Sequence, residues 1–176
     1  MSRIPTHTLA DAPAASQPLL QKIVEATPGG RPANLHAQMA HSPAVLTAYT
    51  SLRAALTKHA SFDPKVGAAL TLAAASGVGN DYMIRIASRI AGMNGWTEQQ
   101  IAALATDSPT TDAKTDALAS LVREAATNAG NVSDAAWETA RQAGWSVGQL
   151  ADAFAYLGAT IFTATFLNFA QTDPDL

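Results

Sequence analysis

Gly95-Trp96-Thr97-Glu98-Gln99-Gln100-Ile101-Ala102 and, 49 residues further on, Gly144-Trp145-Ser146-Val147-Gly148-Gln149-Leu150-Ala151 are two versions of one pattern. In each, glycine ends a helix in a left-handed conformation, tryptophan covers the joint, and a hydroxyl caps the helix that follows. The same ungapped shift sets Asp63 and Lys65 on Asp112 and Lys114, Ala68 and Leu72 on Ala117 and Leu121, and Ala87 and Ala91 on Ala136 and Ala140. Alanine matches count for little in an alanine-rich chain, but two tryptophans in the same local setting count for much. The pattern predicts an internal two-fold repeat with halves at about 63–111 and 112–160, each a helix pair, a turn and a further helix. Similar helix–turn–helix grammar without duplication is the competing reading.

Outward from these joints, helix signals follow one another and strand signals are almost missing. Ser16 before Gln17-Pro18, with Leu19, Leu20, Ile23 and Val24 at helical spacing, predicts a first helix closed by Thr27-Pro28-Gly29-Gly30. Residues 1–15 read as an extended arm. Asn34 opens a short helix running to His41, and Ser42-Pro43 opens a longer one with Val45, Leu46, Tyr49, Leu52, Ala55 and Leu56 on one face. Asp63-Pro64 starts another, uncharged from Val66 to Asn80. That run is too long and too rich in alanine for a strand, so it reads as a buried helix. Gly77 and Gly79 set a break before Asn80–Met93, Thr97 to Gln100 has the form of a capping box, and further helices fall at about 112–128, 133–143 and 147–170. Ser133 and Ser146 are the expected caps of the last two. The fold class is all-α, a helical bundle forming one domain over 1–176.

Composition bounds the chemistry. About half of the 176 residues are apolar and 14% are charged, enough to bury a core. Net charge is −3 with no basic run, which argues against a nucleic-acid partner. The N-terminus lacks the apolar core of a signal peptide and reads as cytoplasmic. Ala153 to Ala170 is uncharged, but Tyr156, Thr160, Thr163, Thr165 and Asn168 interrupt it. It is read as a buried bundle or subunit-interface helix, with no membrane partner. The chain contains no cysteine. Disulfides, thiolate nucleophiles and thiolate metal sites are therefore excluded.

From Asp63 onward, and again in Arg3-Ile4-Pro5, in Asn34-Leu35-His36-Ala37-Gln38-Met39-Ala40-His41-Ser42-Pro43 and in Ala170-Gln171-Thr172, the chain resembles the alkylhydroperoxidase-D-like / carboxymuconolactone decarboxylase family, in its peroxidase-related branch. The resemblance implies an all-helical fold, frequently repeated internally, and a homo-oligomer. Active members of that family carry an upstream Glu and a Cys-x-x-Cys-x-x-x-His motif on a helix. One thiolate attacks a peroxide, the second resolves the intermediate as a disulfide, and Glu and His move protons. Counting back from Gly95-Trp96-Thr97, the cysteine positions fall on Asn80 and Met83, the His position on Ala87 and the Glu position near Ala68, while Tyr82 keeps the aromatic often found between the cysteines. A disulfide cannot form between asparagine and methionine, so thiol peroxidase chemistry is lost.

What the residues offer instead is modest. Asn80 reads as an N-cap or as a polar contact for a ligand, and Met83 as core packing. Asp81 and Arg85 are spaced for an exposed helix ion pair. His36 and His41 lie on different sides of a helix, and no histidine pair has the spacing of a helical zinc site, so neither metal nor cofactor is expected. Asp152 and Tyr156, one turn apart, are candidates to line a pocket with Asn80, Tyr82, Met83 and His36 around a small apolar ligand. The leading expectation is a family-like protein without peroxidase activity that binds a small molecule or serves a structural or regulatory role. The alternatives are a cofactor-free acid–base lyase or isomerase using Asp152, Tyr156 or His36, and a degenerate subunit assembling with an active paralogue.

Overall fold

Where the sequence can cap a helix, a helix begins. The computed structural model describes residues 2–27 and 29–175, and these contain α1 (Gln17–Ala26), α2 (Asn34–Met39), α3 (Pro43–His59), α4 (Pro64–Val78), α5 (Asp81–Met93), α6 (Glu98–Ala105), α7 (Ala113–Thr127), α8 (Asp134–Gln142) and α9 (Val147–Ala170), with no strand among the described residues. Asp63, Asn80, Thr97, Asp112 and Ser133 each accept a hydrogen bond from the backbone N–H three residues on. Ser146 does the same for Gln149, whose side-chain oxygen accepts in return from the Ser146 N–H. Ser16 departs from expectation. Its backbone is already helical, and its buried hydroxyl caps nothing and has no partner among the described residues.

The chain divides into two compact units, one made by the chain up to Ala55 together with the chain from Thr165 on, the other by Leu56–Ala164. In the first, the arm is helix-free up to Ser16 and is held by backbone and side-chain bonds. His7 N–H donates to the Ala37 carbonyl at 3.1 Å, and Arg3 N–H to that of Ala170 at 2.8 Å. The buried Gln38 donates to the Ile4 carbonyl at 2.7 Å and accepts from the Thr172 hydroxyl at 2.5 Å. A buried amide satisfied on both sides fixes both chain ends against α2.

In the second unit α4 is the axis, buried continuously from Val66 to Ala75. Val66, Leu70 and Ala74 join Leu118, Leu121 and Val122 of α7 and Trp145, Leu150 and Leu157 in one core. Gly77 permits a close crossing with α7, because a Cβ there would stand 2.7 Å from the Ala126 Cβ and 2.8 Å from the Arg123 carbonyl oxygen. Among the described residues α9 is the one helix long and apolar enough to cross a bilayer, and 44% of its most apolar stretch is buried. It is less enclosed than expected: Val147, Phe154 and Phe169 are exposed.

Candidate functional site

The start of α5 is set by two residues with opposite backbone needs. Gly79 ends α4 at φ +71°, a left-handed conformation that glycine adopts without steric cost, and donates back to the Ala75 and Ser76 carbonyls. Asn80 then turns extended, and its side-chain oxygen accepts from the Met83 N–H at 2.7 Å. Asn80 and Met83 thus meet within the first turn of one helix, the spacing a dithiol motif requires. A thiolate at a helix N-terminus is held by the same N–H groups and the same positive end of the helix. Here a neutral amide fills that place.

The positions where the family pattern carries its proton-moving His and Glu are here Ala87 and, nearby, Ala68. Tyr82, Met83 and Ala87 form the buried face of α5, and Ala68 is buried in α4. Asn80 itself is only 8% exposed. Asp81 and Arg85, on the outer side, form no ion pair among the described residues. Two exposed side chains gain too little from pairing in water to offset their lost freedom.

The other candidate residues are engaged locally. The Asp152 carboxylate accepts from the Ser61 N–H at 2.9 Å and the Ser61 hydroxyl at 2.5 Å, pinning the segment before α4 to α9. Tyr156 lies across Gly67, where an added Cβ would come within 2.6 Å of its phenolic oxygen, and its ring meets Phe62 edge-on with centroids 5.9 Å apart. In the first unit, His36 Nε2 and the Tyr49 hydroxyl are 3.1 Å apart. Burial, with Arg53 adding to it, lowers the His36 pKa to about 4 against a small opposing pull from Asp175, so the ring is neutral at pH 7. Burial likewise raises the Tyr49 phenol above its ordinary value. None of the described clefts is lined by Asn80, Tyr82, Met83, His36, Asp152 or Tyr156. Asp152, Tyr156 and His36 each meet a neighbour within their own unit.

A cleft does open elsewhere in the second unit. Leu121, Val122 and Ala125 of α7, Val132 and Trp137, and Leu150, Phe154 and Leu157 of α9 bound a space of about 100 Å³. The lining is apolar, with Trp137 at 38% and Phe154 at 65% exposure forming its rim. The sequence held one clue to it. Trp137 has no aromatic counterpart 49 residues earlier, where Ser88 stands, and it sits on a helix otherwise polar on its outer side.

Comparison with solved structures finds the same fold at low sequence identity. An uncharacterized peroxidase-related protein from Ralstonia eutropha JMP134 with an alkylhydroperoxidase AhpD core superposes with a TM-score of 0.82 at 17% identity, over 99% of this chain and 92% of that one. An uncharacterized peroxidase-related protein from Silicibacter sp. TM1040 does so with 0.77 at 16% identity, over 99% and 95%. The debrominase Bmp8, as a cysteine-to-alanine variant in complex with 2,3,4-tribromopyrrole, gives 0.83 at 13% identity, over 99% and 92%. No protein-family model and no curated protein matches the chain. The all-helical architecture implied by the resemblance is the architecture found.

Proposed function

We propose that this chain uses an alkylhydroperoxidase-like scaffold to bind a small, apolar, ring-sized molecule, without thiol redox chemistry, in the cleft rimmed by Trp137 and Phe154. The observation that carries this reading is that cleft: lined mainly by apolar side chains and open at one side, in a chain whose α5 N-terminus holds an amide and a thioether. A dry apolar cavity of ~150 Å³ takes a benzene; at about 100 Å³ this cleft is smaller but open, so it would seat part of one ring against α7 and α9 and leave the rest toward solvent. The structural neighbour that holds a brominated pyrrole does so with one cysteine replaced by alanine, which supports ring binding on this fold without that sulfur. Acid–base catalysis would need a group that readily takes a proton; the Asp152 carboxylate already accepts two hydrogen bonds from Ser61, and burial makes His36 a weak base although its Nδ1 has no partner among the described residues.

Calorimetric titration of the purified chain with 2,3,4-tribromopyrrole tests the reading. Saturable binding is expected, weakened at least tenfold by Trp137→Ala and unaffected by Met83→Leu, with hydroperoxide turnover at background in the presence of a dithiol. Equal affinity in the Trp137→Ala protein removes the cleft from consideration. Hydroperoxide turnover above background removes the loss of peroxidase function.

A further inference from the structure

In the second unit α9 is apolar on two opposite sides, and the chain covers one of them. From Val147 to Ala164, the side formed by Leu150, Ala153, Leu157 and Ala164 is buried. The opposite stripe runs Val147, Ala151, Phe154, Gly158 and Ile161, at alternating spacings of four and three that keep one helix face in line. Val147 is 61% and Phe154 65% exposed, Ala151 is exposed, and Gly158 and Ile161 are half-buried. None of the five has a polar side chain. Asp152, the one charged residue of this span, is held by Ser61 and takes no part in the stripe. A helix apolar on opposite sides is one that is covered on both.

The order of sizes along the stripe says what covers it. Val147, Phe154 and Ile161 are large, and Ala151 and Gly158 between them are small. A parallel pair of such helices sets like against like, Phe154 on Phe154 and Gly158 on Gly158. An antiparallel pair sets large against small, which is how facing layers interdigitate. One two-fold axis crossing at the level of residue 156 places Phe154 over the partner's Gly158 and Ile161 against the partner's Ala151, and the reverse contacts follow by symmetry. We propose that this stripe is the contact surface for a second copy of the chain, α9 against α9, antiparallel about that axis.

Gly158 gives independent support. Glycine inside a helix weakens it relative to alanine. At Gly67 and Gly77 the chain itself supplies the reason, since a Cβ there would come within 2.6 Å of Tyr156 and 2.7 Å of Ala126. At Gly158 an added Cβ would meet nothing within 4 Å. The missing side chain serves nothing inside the chain, but it makes room for a ring laid on the helix from outside. A bilayer asks only for apolarity and accounts for neither the size order nor the glycine, although α9 has the length and hydropathy to cross one. With no charge on the stripe, two copies meet there without like-charge repulsion. A seam ~27 Å long and ~10 Å wide is smaller than the ~800 Å² per partner of a standard interface, so the pair exchanges and dissociates in the micromolar range. This inference needs no ligand and stands apart from the ring-binding reading, although Phe154 borders both surfaces.

Sedimentation velocity of the full chain, without ligand and across the micromolar range, tests the proposal. A concentration-dependent equilibrium between monomer and dimer is expected. Gly158→Leu puts a side chain where the partner's Phe154 must sit. That variant should stay helical and melt no lower than the parent, yet pair about tenfold more weakly or worse. Phe154→Ala should weaken pairing in the same direction. Orientation is read from nitroxide labels on Gly148→Cys, in a chain with no other cysteine. Eight residues from the axis on each helix, the labels should lie ~24 Å apart along it, whereas a parallel pair would hold them at ~10 Å. The proposal is overturned if Gly158→Leu pairs as tightly as the parent or if the labels report the shorter distance. It is equally overturned if the parent stays monomeric throughout, and binding of that monomer to phosphatidylcholine vesicles would assign the stripe to lipid instead.

Discussion

The two tryptophan joints of the second unit are built alike, and the segments that lead into them are not. Gly95 and Gly144 stand at φ +88° and +90°. Trp96 N–H reaches the Ala91 carbonyl and Trp145 N–H that of Ala140. Each indole N–H donates to a lysine carbonyl at 2.8 Å, Lys65 for Trp96 and Lys114 for Trp145, and the ammonium of the same lysine lies 4.6 Å and 4.4 Å over the ring it serves. Before the first joint, α4 passes to α5 through Gly79 and Asn80 alone, and α5 buries Tyr82 and Met83 against its neighbours. Before the second, residues 128–133 intervene, and α8 buries only Ala140. The longer connection leaves α8 less closely packed, and Trp137 stands at the edge of an open cleft instead of in a filled core. The joint is a fixed fastener; what the preceding helix brings to it decides whether the space is filled.

The largest expected effect tests whether the fasteners are equivalent. Trp96 and Trp145 are 3% and 5% exposed. Replacing either by alanine removes a large buried side chain together with its hydrogen bond, at a cost of ~3–5 kcal/mol. Urea unfolding of Trp96→Ala and Trp145→Ala should give losses matching within about 1 kcal/mol. A phenylalanine at either place keeps most of the buried area but strands the lysine carbonyl, and should cost about 1–2 kcal/mol. If one alanine variant loses half as much as the other, the two joints share geometry without sharing importance.

A smaller effect belongs to the crossing of α4 and α7. Gly77 and Ala126 stand 49 residues apart, and the Cβ of Ala126 is the nearest atom that a methyl on Gly77 would meet. The crossing therefore has room for one methyl group and not two. Gly77→Ala should destabilise the chain by about 1–3 kcal/mol. Adding Ala126→Gly should recover part of that loss; the Arg123 carbonyl, 2.8 Å from the new carbon, keeps recovery incomplete. Simple additivity of the two changes would mean that the helices move apart instead of competing for the space.

These contrasts also mark what the sequence could disclose. Asp63, Asn80, Thr97, Ser133 and Ser146 could be read as caps because a cap is a contact across three residues, and each makes it. Ser16 looked the same and fails, since the backbone there is already helical. Loss of the thiol site was equally legible, as it follows from residue identity alone. The partners of the candidate polar residues were not. Asp152 is drawn to Ser61, 91 residues away, and His41 to His7 on an arm whose path is set by bonds to α2. No local spacing encodes such pairings. The cleft at Trp137 depends on the length of one connection, which a sequence shows but whose consequence appears only when α8 is seen against α7 and α9.

The smallest expected effect separates the two caps. Asn80 and Ser133 both accept from the N–H three residues on, at 2.7 Å and 3.2 Å. Asn80 is buried, whereas Ser133 is exposed and has a second anchor, since the Glu124 carboxylate accepts from both its N–H and its hydroxyl. An uncapped N–H at an exposed helix end turns to water at little cost, while one in a buried place has no substitute. Asn80→Ala should therefore cost ~1–2 kcal/mol and Ser133→Ala about 0.5 kcal/mol. Asn80→Ser, which restores an acceptor without the amide, should regain most of the loss in thermal unfolding. If it regains none, the second half of the Asn80 side chain is what matters, and the α5 N-terminus is held by packing instead of by its cap. If Ser133→Ala costs as much as Asn80→Ala, the looseness of α8 does not extend to its first turn, and the open cleft owes its shape to Trp137 alone.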